Sequence, residues 1–176
     1  MKPLIRRLDP AADLALVVAL YDQAADYWLL ADRVPHGPDK AAAFFTDGPP
    51  GSDAALSYRM GIFDGETLAG VAELSFGFPE PSDAYLGLMI LSAGFRGKGL
   101  GKAFVQHLQD LARGRGAIRM YLGVLEENPR GRAFWAREGF QDTGVSRRDL
   151  DTGHLMVRLG KDLAAVPSAA GLGRKP

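Results

Sequence analysis

The sequence predicts an α/β (α+β) domain on a central mixed, mostly antiparallel sheet of about seven strands flanked by about four helices. Three observations lead there. Strand-like and helix-like runs follow in the order β, α, α, three strands, α, β, α, two strands, which is not the regular alternation of a doubly wound fold. The three consecutive strand runs are linked by an Asp64-Gly65 turn and the loop PEPSD, as in an antiparallel meander. With 176 residues, 47% of them hydrophobic, the chain can bury one sizeable core but not two. We therefore expect a single domain over residues 1–160 and a flexible tail over 161–176, where AAVPSAAGLGRKP offers little to bury.

Each element has its own signal. LIRRL, residues 4–8, reads as a short first strand closed by Asp9 and Pro10. Asp13 is placed to cap one long, largely buried helix through LALVVALYDQAADYWLLA, which the prolines and glycine of DRVPHGPDK end. A short helix follows at about Lys40 to Phe45. The hairpin SYRMGIFDGETLAGVAELSFGF and the run AYLGLMIL supply the meander. Leu100, Ala103, Phe104, Leu108 and Leu111 recur at helical spacing, and RGRG stops that helix. AIRMYLGVL is a strand, and PRGRAFWARE a helix with Pro129 in its first turn. Two last strands are expected near Val145 to Leu150 and His154 to Leu159.

Composition narrows the chemistry. Lys plus Arg and Asp plus Glu number 21 each, so no bulk field draws the protein to nucleic acid or to an anionic membrane, and neither is an expected partner. The absence of cysteine removes disulfides, thiolate metal sites and a thiol nucleophile. His36, His107 and His154 lack ligand-like spacing, and no metal is expected. The apolar run LALVVAL follows Lys2, Arg6 and Arg7, but Asp9 and Asp13 interrupt a signal-peptide reading and the run is short of a membrane span. The expected location is the cytoplasm.

FRGKGLGK, residues 95–102, lies between a strand and a helix. Its glycines are spaced G-x-G-x-G, one residue away from the dinucleotide fingerprint G-x-G-x-x-G. The nucleoside triphosphate loop fails twice, because Arg96 replaces its first glycine and Ala103 its magnesium-binding hydroxyl. What remains is a turn whose backbone N–H groups and following helix N-terminus suit a diphosphate, with Arg96, Lys98 and Lys102 at the rim. A plain glycine-rich connection with solvated cations is the alternative.

RGKGLG resembles the Arg or Gln, x, x, Gly, x, Gly or Ala signature of the GNAT superfamily of N-acetyltransferases. NPRGRAFWAREGF, residues 128–140, resembles that superfamily's Asn-led helix that ends in an aromatic residue, three others and Gly-Phe. The likeness spans roughly residues 57–160. It implies an acyltransferase that moves an acetyl group from acetyl-CoA to an amine within a ternary complex, with a homodimer common in the family. Arg96, Gly97, Lys98, Gly99, Leu100, Gly101 and Lys102 would bind the diphosphate of acetyl-CoA. Met89, Ile90 and Leu91, on a strand that splays from its neighbour in the family, would hold the pantetheine arm through backbone groups. Asn128 would touch that arm as well as cap its helix, and Phe134 would pack on the cofactor or in the core.

The catalytic groups are less settled by the resemblance. Trp135 stands where many members carry a tyrosine acid, and indole does not release its proton at ordinary pH. Glu73, a carboxylate inside the apolar run LAGVAELSF, is the first candidate base, its alternative being a solvent-facing position on an alternating strand. Tyr85 is the second catalytic candidate, as base through water or as the missing acid, its alternative being core or edge packing. Glu126 and Glu127 read as a solvated strand end. Asp22, Asp26 and Asp32 would suit a cationic acceptor if they line the cleft. The competing functions are a non-catalytic acyl-CoA-binding module, motivated by Trp135, and a nucleotide-binding regulatory domain, which the glycine spacings disfavour.

Overall fold

The computed structural model describes residues 2–163. The expected tail therefore lies outside the described residues from 164 onward, while the last strand runs past position 160. Seven strands form one sheet: β1 (Leu4–Arg7), β2 (Tyr58–Asp64), β3 (Thr67–Phe76), β4 (Asp83–Leu91), β5 (Arg119–Leu125), β6 (Gln141–Arg148) and β7 (Leu155–Asp162). Their order is β1-β2-β3-β4-β5-β7-β6, with β4–β5 parallel and the other pairs antiparallel. The helices are α1 (Pro10–Gln23), α2 (Ala25–Asp32), α3 (Lys40–Ala43), α4 (Leu100–Gly114) and α5 (Pro129–Arg137).

Five helices stand where about four were expected, because the first long helix breaks. Ala24, fully buried, leaves helical geometry at φ −111° and ψ 24°, and the two pieces meet at 75°. No proline or glycine marks the spot. Among the described residues no single helix is long and apolar enough to cross a membrane. The cap is also one turn earlier than expected. Asp9, not Asp13, accepts hydrogen bonds from Ala11 and Ala12 N–H at 2.9 and 2.8 Å, and Pro10 takes the first helical position, where its missing N–H costs nothing. Asp13 is instead buried, gripped by both guanidinium nitrogens of Arg6 at 2.8 Å, which hold its carboxyl down at a pKa of about 2.

Two extra residues set which side chains share a face. Between β2 and β3 the register jumps from Ile62↔Gly70 to Phe63↔Leu68, leaving Ala69 unpaired. Between β3 and β4 it jumps from Glu73↔Leu88 to Leu74↔Leu86, leaving Gly87 unpaired. Alternation therefore inverts within β4: Ala84, Leu86, Met89 and Leu91 pack on one face, Leu88 and Ile90 on the other. The hairpin turn is Gly65-Glu66, one residue later than expected, with Gly65 at φ 59°. The first face is covered by Phe104, Val105, Leu108 and Ala112 of α4 with Trp135 of α5. The second is covered by Val17, Leu20, Tyr21, Trp28, Ala41 and Phe44 from α1 to α3. β6, exposed throughout, forms the sheet edge and begins directly after Phe140, earlier than the apolar run alone indicates.

Candidate active site

The parallel pair β4–β5 stays joined for only four positions, from Asp83↔Arg119 to Leu86↔Leu122. Beyond it, the β5-facing edge of Gly87, Leu88, Met89, Ile90 and Leu91 has no partner strand among the described residues. This is a backbone slot, and its upper end leads into the glycine loop. Gly97 and Gly99 adopt φ 74° and 82°, the left-handed region that favours glycine, with open space around each. Gly101 serves otherwise. A Cβ there would lie 3.2 Å from Phe134 and 3.3 Å from Leu91, so its bareness lets α4 close on α5 and β4. The first turn of α4 has no side-chain cap. Its N–H groups therefore remain available to an anion.

The side chains around the loop divide into two sets. Lys98 and Lys102 are exposed at its rim, Lys98 over the Phe95 ring at 5.2 Å. Arg96 is engaged elsewhere: Nε donates to the Leu91 carbonyl at 3.0 Å, and Nη1 and Nη2 donate to Asp26 at 2.5 and 3.0 Å. That bond holds the Asp26 carboxyl below its usual range and fastens α2 to the loop. Leu100 packs against the first core. Asn128 caps α5 by accepting from Gly131 N–H at 2.9 Å, and Phe134 is half-buried against Gly101. Trp135 is buried between Phe134 and Phe140, with ring centroids at 4.9 and 5.4 Å, and serves as a core residue.

Below the slot, on the second face, a pocket of ≈ 290 Å³ is lined by both candidate catalytic residues. Glu73 is buried, so it is not the solvent-facing residue of a simple alternating strand. Its Oε1 accepts from Ser75 Oγ, which lies 2.8 Å from Ser57 Oγ, and sits 3.3 Å from Arg59 Nη1. Its Oε2 lies against Gly87 in the space a Cβ would fill, so the bulge glycine makes room for the carboxylate. Arg59 is also buried and donates to the Asp47 carbonyl at 2.5 Å, and burial lowers its pKa. Tyr85 places its hydroxyl at the fork, 3.3 Å from where a Cβ on Gly123 would stand. Burial raises its pKa, so the phenol remains protonated and suits a donor rather than a base.

The expected acidic patch does not form the pocket. Asp22 pairs with His36 at 3.2 Å, Asp26 with Arg96, and Asp32 with Lys40 at 2.9 Å. Glu126 and Glu127 are both exposed as expected, and Glu127 also bonds Nδ1 of the buried His154, whose Nε2 contacts the Leu30 carbonyl at 2.7 Å. Arg59, Trp28, Lys40 and Asp47 also line the pocket, and none was among the expected site residues. For Arg59 there was a signal: a cation inside the apolar run SYRMGIF, opposite a carboxylate-bearing run across a tight hairpin.

The profile of the Acetyltransferase (GNAT) family matches residues 18–140. This chain belongs to that family. It is 30% identical over 108 residues to a streptothricin acetyltransferase of Streptomyces lavendulae, a match covering 61% of this chain and 57% of that protein. An acetyltransferase structure from Thermus thermophilus superimposes with a TM-score of 0.71 at 21% identity, covering 92% of this chain and 97% of that one. The Escherichia coli ribosomal-protein-S18-alanine N-acetyltransferase superimposes with a TM-score of 0.68 at 17% identity, covering 95% and 97%. The two structural likenesses speak for the GNAT fold.

GNAT acetyltransferases use acetyl-CoA, and the residues here fit it. The unpaired edge of β4 offers backbone groups to an extended amide-bearing arm, and the uncapped start of α4 with Gly97 and Gly99 offers N–H groups to a diphosphate. Both lie on one continuous path with the Glu73 pocket, because Gly87 and Leu88 belong to the slot and to the pocket lining alike.

Proposed function

We propose that this GNAT protein is an N-acetyltransferase that moves an acetyl group from acetyl-CoA to a primary amine of a small molecule or peptide, by direct transfer in a ternary complex. The observation that carries the reading is the Glu73 carboxylate, buried against the Gly87 bulge where β4 leaves β5. Oε1 is held by Ser75 and Arg59, which leaves Oε2 to accept a proton. The chain has no cysteine to carry the acetyl group, so direct attack is the shortest route.

Acetyl-CoA supplies an activated thioester. Glu73 takes a proton from the arriving ammonium and passes it to water. As the amine nitrogen bonds to the carbonyl carbon and the C–S bond breaks, backbone N–H groups of β4 face the developing negative charge. The nitrogen sheds its second proton to solvent, and Tyr85 donates one to the departing sulfur, recovering it from water. Trp135, enclosed in the core, takes no part. Met89, Ile90 and Leu91 hold the arm, Gly97 to Lys102 the diphosphate, and Asn128 and Phe134 border the path.

Free-thiol release with acetyl-CoA over primary amines, peptides and streptothricin tests this. Turnover with at least one class is expected. Stabilisation by acetyl-CoA with no thiol release from any amine would point instead to an acyl-CoA-binding module.

A further inference from the structure

The pocket beneath Gly87 contains buried donors with nothing to bind. Trp28 Nε1 and Arg59 Nε and Nη1 are shielded from solvent and have no hydrogen-bond partner among the described residues, Nη1 meeting Glu73 as an ion pair without hydrogen-bond geometry. Both side chains line the pocket that Glu73 and Tyr85 line. Trp28 cannot turn to find an acceptor, because Tyr21 sits 4.6 Å from its ring, Tyr27 5.1 Å, and Lys40 Nζ 4.7 Å over it. Buried polar groups are nearly always bonded, and orphans in a cleft gain most from a ligand that brings an oxygen.

The charges around the pocket sharpen what that ligand is. Arg59 and Glu73 present a cation and an anion 3.3 Å apart. That is the complement of a molecule whose amine and carboxylate are themselves a few bonds apart. Lys40 is taken up by Asp32 at 2.9 Å, Asp47 lies exposed at the rim, where water screens it, and Tyr21 is held neutral by burial. We infer that the acceptor is an amino-acid-like zwitterion, its carboxylate received by Trp28 Nε1 and Arg59 and its amine delivered to Glu73. This rests on the acetyl-transfer reading above, and it makes Trp28 and Arg59 specificity residues.

The test is kcat/KM, per unit of unprotonated amine, for matched sets: leucine, leucinamide and 3-methylbutylamine; phenylalanine, phenylalaninamide and phenethylamine. The carboxylate members should exceed the decarboxylated amines by at least about tenfold, with the amides between. In Trp28→Phe and Arg59→Lys, checked for folding by acetyl-CoA-induced stabilisation, that ratio should shrink toward one. The wild-type comparison alone is decisive if a variant does not fold. Equal or better use of the amides or decarboxylated amines would overturn the inference and leave the N-acetyltransferase reading standing. So would silence of both sets while peptides or streptothricin release thiol. Absence of thiol release from every amine would reject the underlying reading instead.

Discussion

The two faces of the sheet are built by opposite rules. Under α4 and α5 the packed cluster runs from Met60 and Leu74 through Phe104 and Leu108 to Trp135, and the buried polar side chain of α4, Gln109, is bonded by Lys161 at 3.0 Å. Beneath α1 to α3 an equally apolar cluster adjoins Arg59, Glu73, Ser57 and Ser75, all buried, with donors left unbonded. Buried charge costs several kcal/mol to desolvate, and a well-packed apolar pair often serves stability better. The first face is thus a foundation, and on the proposed reading it would bind through backbone and glycines. The second gives up stability to keep polar groups out of water, as the proposed acetyl transfer would require.

Four substitutions break or sharpen that contrast. Glu73→Gln on the second face should lower turnover by about 10²-fold or more while acetyl-CoA affinity holds. Thiol-release kinetics beside thermal shift would show it, and wild-type turnover would retire Glu73 as the base. Leu108→Ala on the first face should cost about 3 kcal/mol in urea unfolding with the acceptor KM unmoved, and an altered KM would argue against two independent faces. Asp13→Asn should cost about 2 kcal/mol at neutral pH, since the folded carboxyl titrates near 2 rather than 3.8. Because that folded value is depressed, the contribution is complete above about pH 4 and fades as the pH falls toward about 2. Melting curves of both proteins should therefore converge in acid, and a gap that persists at pH 2 would assign the effect to packing. Gly99→Val forces a branched residue to φ 82°, costing about 1–2 kcal/mol, and should weaken acetyl-CoA binding. Unchanged affinity in a folded variant would remove the loop from its role.

The foundation was largely readable in the sequence, while of the second face only Glu73 and Tyr85 were, without the partners that surround them. Glycine spacing, an Asn-led helix and helical periodicity are local, and they marked the loop, α4 and α5. Arg59 and Glu73 are distant in sequence and meet only because Ala69 slips the hairpin by one. Counting back from Asp64↔Thr67 without that bulge pairs Arg59 with Ala72 and sends Glu73 to the wrong face. Ala24 breaks a helix with no breaker residue, so tertiary packing overrode propensity there. Arg96 was read as a rim cation because its partner, Asp26, lies 70 residues away.

In β4, side-chain direction keeps a count of two, and Gly87 shifts its phase. Downstream residues are therefore read in a different frame from those upstream. Were Gly87 to take a regular place in the ladder instead of bulging, Met89 and Leu91 would turn from α4 toward the N-terminal helices and Ile90 would swing the other way. What this strand cannot give up is the bareness of residue 87, since a side chain there would take the space that the Glu73 carboxylate fills.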